Sequence, residues 1–123
     1  MEKRKIIHIE IPTDNAEASQ KFYGEVFGWQ FQHDPKFDYT MFESGNINGG
    51  LTKVGDFEGF QIKPNDILMY FDSEDIDADL KQIEAAGGKV LRPRTEIPGV
   101  GWFAIFSDPT GNVLALYTGG SSS

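Results

Sequence analysis

Ile7-His8-Ile9-Glu10-Ile11 alternates apolar and polar side chains with period two, the pattern of a strand that buries one face. Thr13-Asp14-Asn15 then offers helix-capping side chains. Ala18, Phe22 and Val26 follow at helical spacing, with Tyr23 and Phe27 widening the stripe, which predicts a helix over 16–27. Gly28 stands where such a helix needs a left-handed residue to end. Strands are predicted over 29–33, 39–43 and 47–54. Asp34-Pro35 stops the first, and Ser44-Gly45-Asn46 turns the chain between the other two. Residues 55–65 are polar and contain Gly and Pro, so they read as a linker.

The same order then returns. Residues 67–71 are an apolar strand, Ser73-Glu74-Asp75 can cap a helix over 76–86, and Gly87-Gly88 closes it. Strands are predicted from Lys89, over 102–106 and over 112–117. Asp108-Pro109-Thr110-Gly111 carries the residues of a type I turn between the last two. Ile7 and Ile67, His8 and Leu68, Asn15 and Asp75, and Gly28 and Gly88 recur at one offset, although the helix interiors match poorly. The chain thus reads βαβββ twice: module one over 6–54, the linker 55–65, module two over 66–118 and a tail over 119–123. One helix per four strands predicts a single α+β domain with each helix packed on a sheet face.

Composition narrows the function. With 11 basic and 19 acidic side chains among 123 residues, the net charge is −8, which repels phosphate and argues against nucleic acid or anionic membrane as partner. A content of 39% hydrophobic and 13% aromatic residues suits a packed core rather than a disordered chain. No cysteine is present, so disulfides, thiolate nucleophiles and cysteine-bound zinc are excluded. The basic start is followed by an apolar run broken at His8 and Glu10, which does not form a signal sequence, and the expected location is the cytoplasm. P-loop, dinucleotide-binding, HExxH and nucleophile-elbow motifs are absent.

Four segments, in this order, are more specific. His8-Ile9-Glu10-Ile11-Pro12, Lys21-Phe22-Tyr23-Gly24-Glu25-Val26-Phe27-Gly28-Trp29, Ala85-Ala86-Gly87-Gly88-Lys89-Val90 and Asp108-Pro109-Thr110-Gly111-Asn112 resemble the vicinal oxygen chelate superfamily, which includes glyoxalase I, bleomycin-resistance proteins and extradiol dioxygenases. The resemblance runs from about Ile6 to Tyr117. It implies two βαβββ modules whose curved sheet encloses a cup. In enzymes of the family four side chains in that cup hold a divalent metal that chelates vicinal oxygens of the substrate. Carried onto this chain, those positions fall on His8, Leu68, Ala115 and Gly49 or Gly50. Leucine, alanine and glycine have no donor atom, and a divalent ion wants three or more protein ligands. No metal and no other cofactor is therefore expected.

What the implied cup offers is apolar and aromatic. Strand alternation with His8 inward places Leu68, Tyr70 and Ala115 inward too, and the ligand-contacting residues are expected to be His8, Glu10, Leu68, Tyr70, Trp102 and Ala115. The alternative for the aromatics is simple core packing. Glu10 shares a strand face with His8, so the pair could orient a ligand, or His8 could serve as a base. His33 reads as an exposed strand-end residue. Arg92 and Arg94, two residues apart, are expected on one face, either as anion-binding forks or as charges blunting an edge strand. Residues 95–101 are a lid or a connector, and the acidic run 72–79 is expected to be the capped start and solvated face of the second helix. The expected function is binding of a small hydrophobic or aromatic molecule in a cup without the family metal site. The alternatives are a lyase, isomerase or dioxygenase, metal-dependent or using His8 as base, and a module that docks a partner through its sheet. By analogy with the family, a homodimer is expected.

Overall fold

The computed structural model describes residues 3–57 and 60–119. The expected tail residues 120–123 and the linker residues 58–59 lie outside the described residues. The chain divides into two compact units, one from His8 to Leu68, the other from the N-terminal segment through Ile7 together with Met69 onward. Both are built on the α+β plan βαβββ.

In the His8–Leu68 unit, β1 (Ile6–Thr13) leads to α1 (Ala16–Phe27), followed by β2 (Gln30–Asp34), β3 (Tyr39–Glu43) and β4 (Asn48–Lys53). The strand order is β2-β3-β4-β1, antiparallel except where β1 runs parallel to β4. The helix begins because the Asn15 side chain accepts a bond from the Ala18 amide, and it ends because Gly28 takes a left-handed φ of 71°. Its contact with the sheet is aromatic. Tyr23 stacks on Trp29 at 5.0 Å between ring centroids, and Trp29 stacks on the buried Phe42 at 4.3 Å.

The second unit repeats this with β7 (Leu68–Asp72), α2 (Ile76–Ala85), β8 (Lys89–Ile97), β9 (Gly101–Ser107) and β10 (Val113–Gly119), in the order β7-β10-β9-β8. Here β7 and β10 are the parallel pair. Asp75 caps α2 by accepting from the Ala78 amide. Ile76 and Leu80 of α2 pack with Ala104, Phe106 and Leu116 into an aliphatic core, flanked by Phe71, Ile83, Val90, Trp102 and Leu114. The turn before β10 forms as its sequence demands. The Asp108 carboxylate accepts from the amides of Thr110 and Asn112, both at 2.9 Å, and Asn112 Nδ2 donates to it as well. Those donors, the Asn112 side chain first, hold the Asp108 carboxyl down to about 2.

Three expectations change. The segment between the modules is not featureless: β5 (Gly55–Phe57) and β6 (Phe60–Ile62) pair antiparallel. Residues 95–97 continue β8, and a turn closed by the Val100 amide on the Ile97 carbonyl replaces most of the expected lid. The acidic run 72–79 is not uniformly solvated either. Asp79 is buried, accepts from both terminal nitrogens of Arg4 at 2.6 and 2.7 Å, and accepts from the Ser73 hydroxyl at 2.6 Å. The Arg4 bond, helped by Ser73 and opposed by burial, holds the Asp79 carboxyl below the usual carboxylate range.

Candidate functional site

Strand register sorts the side chains of the His8–Leu68 unit onto two faces. Ile9 lies beside Gly49 and Ile11 beside Leu51, while Phe42 and Thr40 oppose Gly49 and Leu51 on the other side of β4. Phe42 is the ring on which Trp29 stacks, so this is the α1 face. The alternate residues His8, Glu10, Asn48, Gly50, Met41 and Tyr39 point the opposite way.

On that second face three polar groups converge. His8 Nε2 lies 2.5 Å from Glu10 Oε2 and 3.0 Å from the Tyr39 hydroxyl, and that hydroxyl donates to the same Glu10 oxygen. The His8 side chain is 29% exposed and that of Glu10 only 12%, so the carboxylate is largely withdrawn from water yet reachable at its edge. A carboxylate with this little hydration needs donors, and the imidazole and the phenol supply them.

Two adjacent glycines make the arrangement possible. A Cβ on Gly49 would lie 2.2 Å from the Ile9 carbonyl oxygen and 2.4 Å from Phe42 Cζ on the α1 face. A Cβ on Gly50 would lie 1.7 Å from the Tyr39 hydroxyl oxygen and 2.1 Å from its Cζ on the other. Gly49 thus admits the core ring, and Gly50 leaves the slot through which the Tyr39 ring reaches Glu10. Sequence reading paired His8 with Glu10 but missed Tyr39. The available signal was Gly50 in a strand interior, which marks a close approach by another group.

In the second unit the expected contacts separate. Tyr70 lies beside Ala115 in the β7–β10 ladder, on the face opposite the core residues Phe71 and Leu116. Leu68 is half-buried at the start of β7 and alternates with Tyr70 and Asp72. Trp102 is half-buried and packs against the core cluster, because it alternates in step with the buried Ala104 and Phe106. Arg92 and Arg94 do not share a face. The β8–β9 register shifts on both sides of Arg92, which puts Arg92 over Phe103 at 5.6 Å and Arg94 over Trp102 at 4.6 Å. Arg94 Nε also lies 3.4 Å from Asp77. A bulge breaks the period-two rule that predicted a paired anion fork.

His33 is half-exposed at the end of β2, with Nδ1 at 3.2 Å from Thr40 Oγ1 and Nε2 at 3.4 Å from Asp38. Lys53 pairs with Asp38 as well and holds that carboxyl below its ordinary value. Among the described residues no group of three or more His, Asp or Glu is arranged to hold a metal ion. No helix among them is long and apolar enough to cross a membrane.

Comparisons with known proteins agree with this architecture. Residues 5–116 match the Glyoxalase/Bleomycin resistance protein/Dioxygenase superfamily. The chain is 31% identical over 124 residues to a glyoxylase-like domain-containing protein of Didymella fabae, covering 93% of each. It is 29% identical over 125 residues to the anthracycline biosynthesis protein DnrV of Streptomyces peucetius, covering 90% of this chain and 46% of that protein. The chain therefore spans less than half the length of that relative, as it does for other curated relatives. Among solved structures, methylmalonyl-CoA epimerase from Mycobacterium tuberculosis superposes with a TM-score of 0.69 at 12% identity, over 94% of this chain and 88% of the other, a likeness of fold.

Proposed function

The chain belongs to the glyoxalase/bleomycin resistance protein/dioxygenase superfamily, and from that premise we propose that it binds a small hydrophobic or aromatic molecule without the metal chelate of the family's enzymes. The observation that carries this reading is the donor set. Of the positions that would chelate an ion, Leu68, Ala115, Gly49 and Gly50 offer no side-chain donor, and His8 is already engaged with Glu10 and Tyr39. These residues do not fit a divalent ion. One imidazole and one carboxylate cannot replace the hydration shell that such an ion loses.

Binding would draw its energy from burial of apolar surface, at about 25 cal/mol per Å², with the His8–Glu10–Tyr39 cluster setting orientation. That DnrV is named an anthracycline biosynthesis protein favours a planar aromatic ligand, since anthracyclines are polycyclic aromatic compounds. Titration of isotope-labelled protein with planar aromatic compounds tests the reading. Shifts centred on His8, Glu10 and Tyr39 are expected, and no saturable shift with any compound would remove it.

One observation favours a second reading as an enzyme. The His8 imidazole lies 2.5 Å from the Glu10 carboxylate, an arrangement that could serve as the base of a metal-free isomerase or lyase. Turnover of an activated carbonyl substrate that is abolished by His8→Ala would favour it over simple binding. The same overall reading takes the protein as cytoplasmic, which cell fractionation tests, and as a homodimer. The exposed Phe22, Val26 and Phe27 of α1 support the dimer, and sedimentation across a concentration series tests it.

A further inference from the structure

We infer that the outward face of α1 is the contact surface for a second copy of this chain, with the two helices antiparallel and Lys21 of each copy set against Glu25 of the other. This rests on the reading of the protein as a homodimer and adds the surface and the direction of pairing.

The apolar stripe of α1 is wider than its fold requires. Its inward side is fixed by the Tyr23–Trp29 stack and by the contact between the Thr13 and Ser19 hydroxyls. Phe22 and Val26, four residues apart, point away from that side and are 54% and 57% exposed. Phe27, 59% exposed, adjoins them, its ring centroid 6.2 Å from that of Phe22. The second module supplies a comparison within the chain. There α2 begins at Ile76 as α1 begins at Ala16, so Phe22 and Val26 are matched by Gln82 and Ala86. The same architecture stands without large apolar side chains at this place, so folding does not demand the exposed rings of α1. Contiguous rings left outside the core mark a contact surface.

What covers the stripe follows from its flank. Lys21 and Glu25 lie one turn apart on one side of it, both exposed, and among the described residues neither has an ion-pair partner. Two helices packed face to face about a two-fold axis perpendicular to them run antiparallel, and each flank meets the same flank of the other copy in reverse order. Reversal makes this flank its own complement, because each lysine then faces the other chain's glutamate. The level midway between Lys21 and Glu25 is that of Tyr23, and the level midway between Phe22 and Val26 is that of Gly24, about 1.5 Å away along the helix. One axis therefore serves the ion pairs and the apolar seam together, with Phe22 of one copy beside Val26 of the other. A parallel pair would set the charged flank against the flank carrying Ser19 and Tyr23, which offers no opposite charge. Apolar burial supplies the energy of association, and the charges choose its direction.

Sedimentation of the full chain across a concentration series tests the inference, with thermal melts establishing that each variant is folded. Wild type is expected to dimerise. Lys21→Glu and Glu25→Lys should each weaken the dimer about tenfold, because each brings like charges together at two symmetric places. Phe22→Ser should weaken it at least as much. An equal mixture of the Lys21→Glu and Glu25→Lys proteins, and the variant carrying both changes, should recover the wild-type affinity to within about threefold. Lys81→Glu on α2, which changes the net charge as Lys21→Glu does, should leave the affinity as it is. A wild-type dimer indifferent to Lys21→Glu or to Phe22→Ser, charge-swapped proteins that do not recover when combined, or a dimer weakened as much by Lys81→Glu overturns the inference while leaving the homodimer reading intact. Wild type that stays monomeric at every concentration gives this face to some other partner and overturns both.

Discussion

The two units follow one backbone plan and stabilise it differently. In each, a hydroxyl at the end of the first strand reaches the helix six residues on. Thr13 Oγ1 meets Ser19 Oγ at 2.7 Å in the first unit, and Ser73 Oγ donates to Asp79 at 2.6 Å in the second. Ser19 is neutral and needs nothing more. Asp79 brings a buried charge, which the bidentate Arg4 contact neutralises. The helices differ likewise. Ile76, Asp79 and Leu80 of α2 are buried, whereas α1 buries no residue fully and leans on the Tyr23–Trp29–Phe42 stack. The chemistry diverges most: where the first βαβββ module has His8 and Glu10 on its opening strand, the opening strand of the second has Leu68 and Tyr70. Repetition of a fold thus conserves caps and strand order while leaving the face away from the helix free to differentiate.

The contrast can be broken most strongly at the helix cores. Leu80→Ala is expected to cost about 2–5 kcal/mol in denaturant unfolding, because it opens a cavity in the α2 core. The corresponding Gln20→Ala in α1 should stay within about 0.5 kcal/mol. Equal losses at the two positions would erase the distinction between the units.

Next comes the buried charge. Asp79→Asn should destabilise by about 1–3 kcal/mol, less than for a wholly buried pair because Arg4 is half-exposed. The folded-state pKa of Asp79 is depressed, so its stabilisation is fully present above the ordinary carboxylate value and is lost as pH falls from there through the lower folded value. Acid unfolding of wild type compared with Asp79→Asn measures this, and the gap between the two curves should narrow toward low pH.

Gly50→Ala is expected to cost about 1–2 kcal/mol from overpacking, and its sharper signature is displacement of Tyr39, seen as altered ring resonances of Tyr39 and His8. The smallest effect is expected at Phe27→Ser. That side chain is 59% exposed, so monomer stability should move by no more than about 0.5 kcal/mol, while any self-association weakens in sedimentation.

Much of the fold was legible because its signals are local. Asn15, Asp75, Gly28 and the Asp108–Asn112 turn each act within a few residues, and all perform as their chemistry predicts. Most of what escaped depends on long-range geometry. The β8 bulge turned Arg92 and Arg94 onto different faces, and Pro93 between them, which cannot donate to the ladder, was the signal that the period-two reading passed over. The burial of Asp79 depends on Arg4, which lies 75 positions away in the chain. The His8–Glu10 pairing was visible from alternation alone, since both lie on one strand face. Tyr39 was not, because its approach is set by a missing side chain on a neighbouring strand, Gly50. A strand glycine is as much a statement about what approaches it as about its own flexibility.

The central proposal is that His8, engaged with Glu10 and Tyr39, belongs to a site that takes no divalent ion. The most direct measurement is calorimetric titration of chelator-treated protein with Zn²⁺ and Ni²⁺, alongside the His8→Ala variant. The account predicts no stoichiometric binding in either protein. One ion bound per chain at micromolar or tighter affinity, lost in His8→Ala, would contradict it.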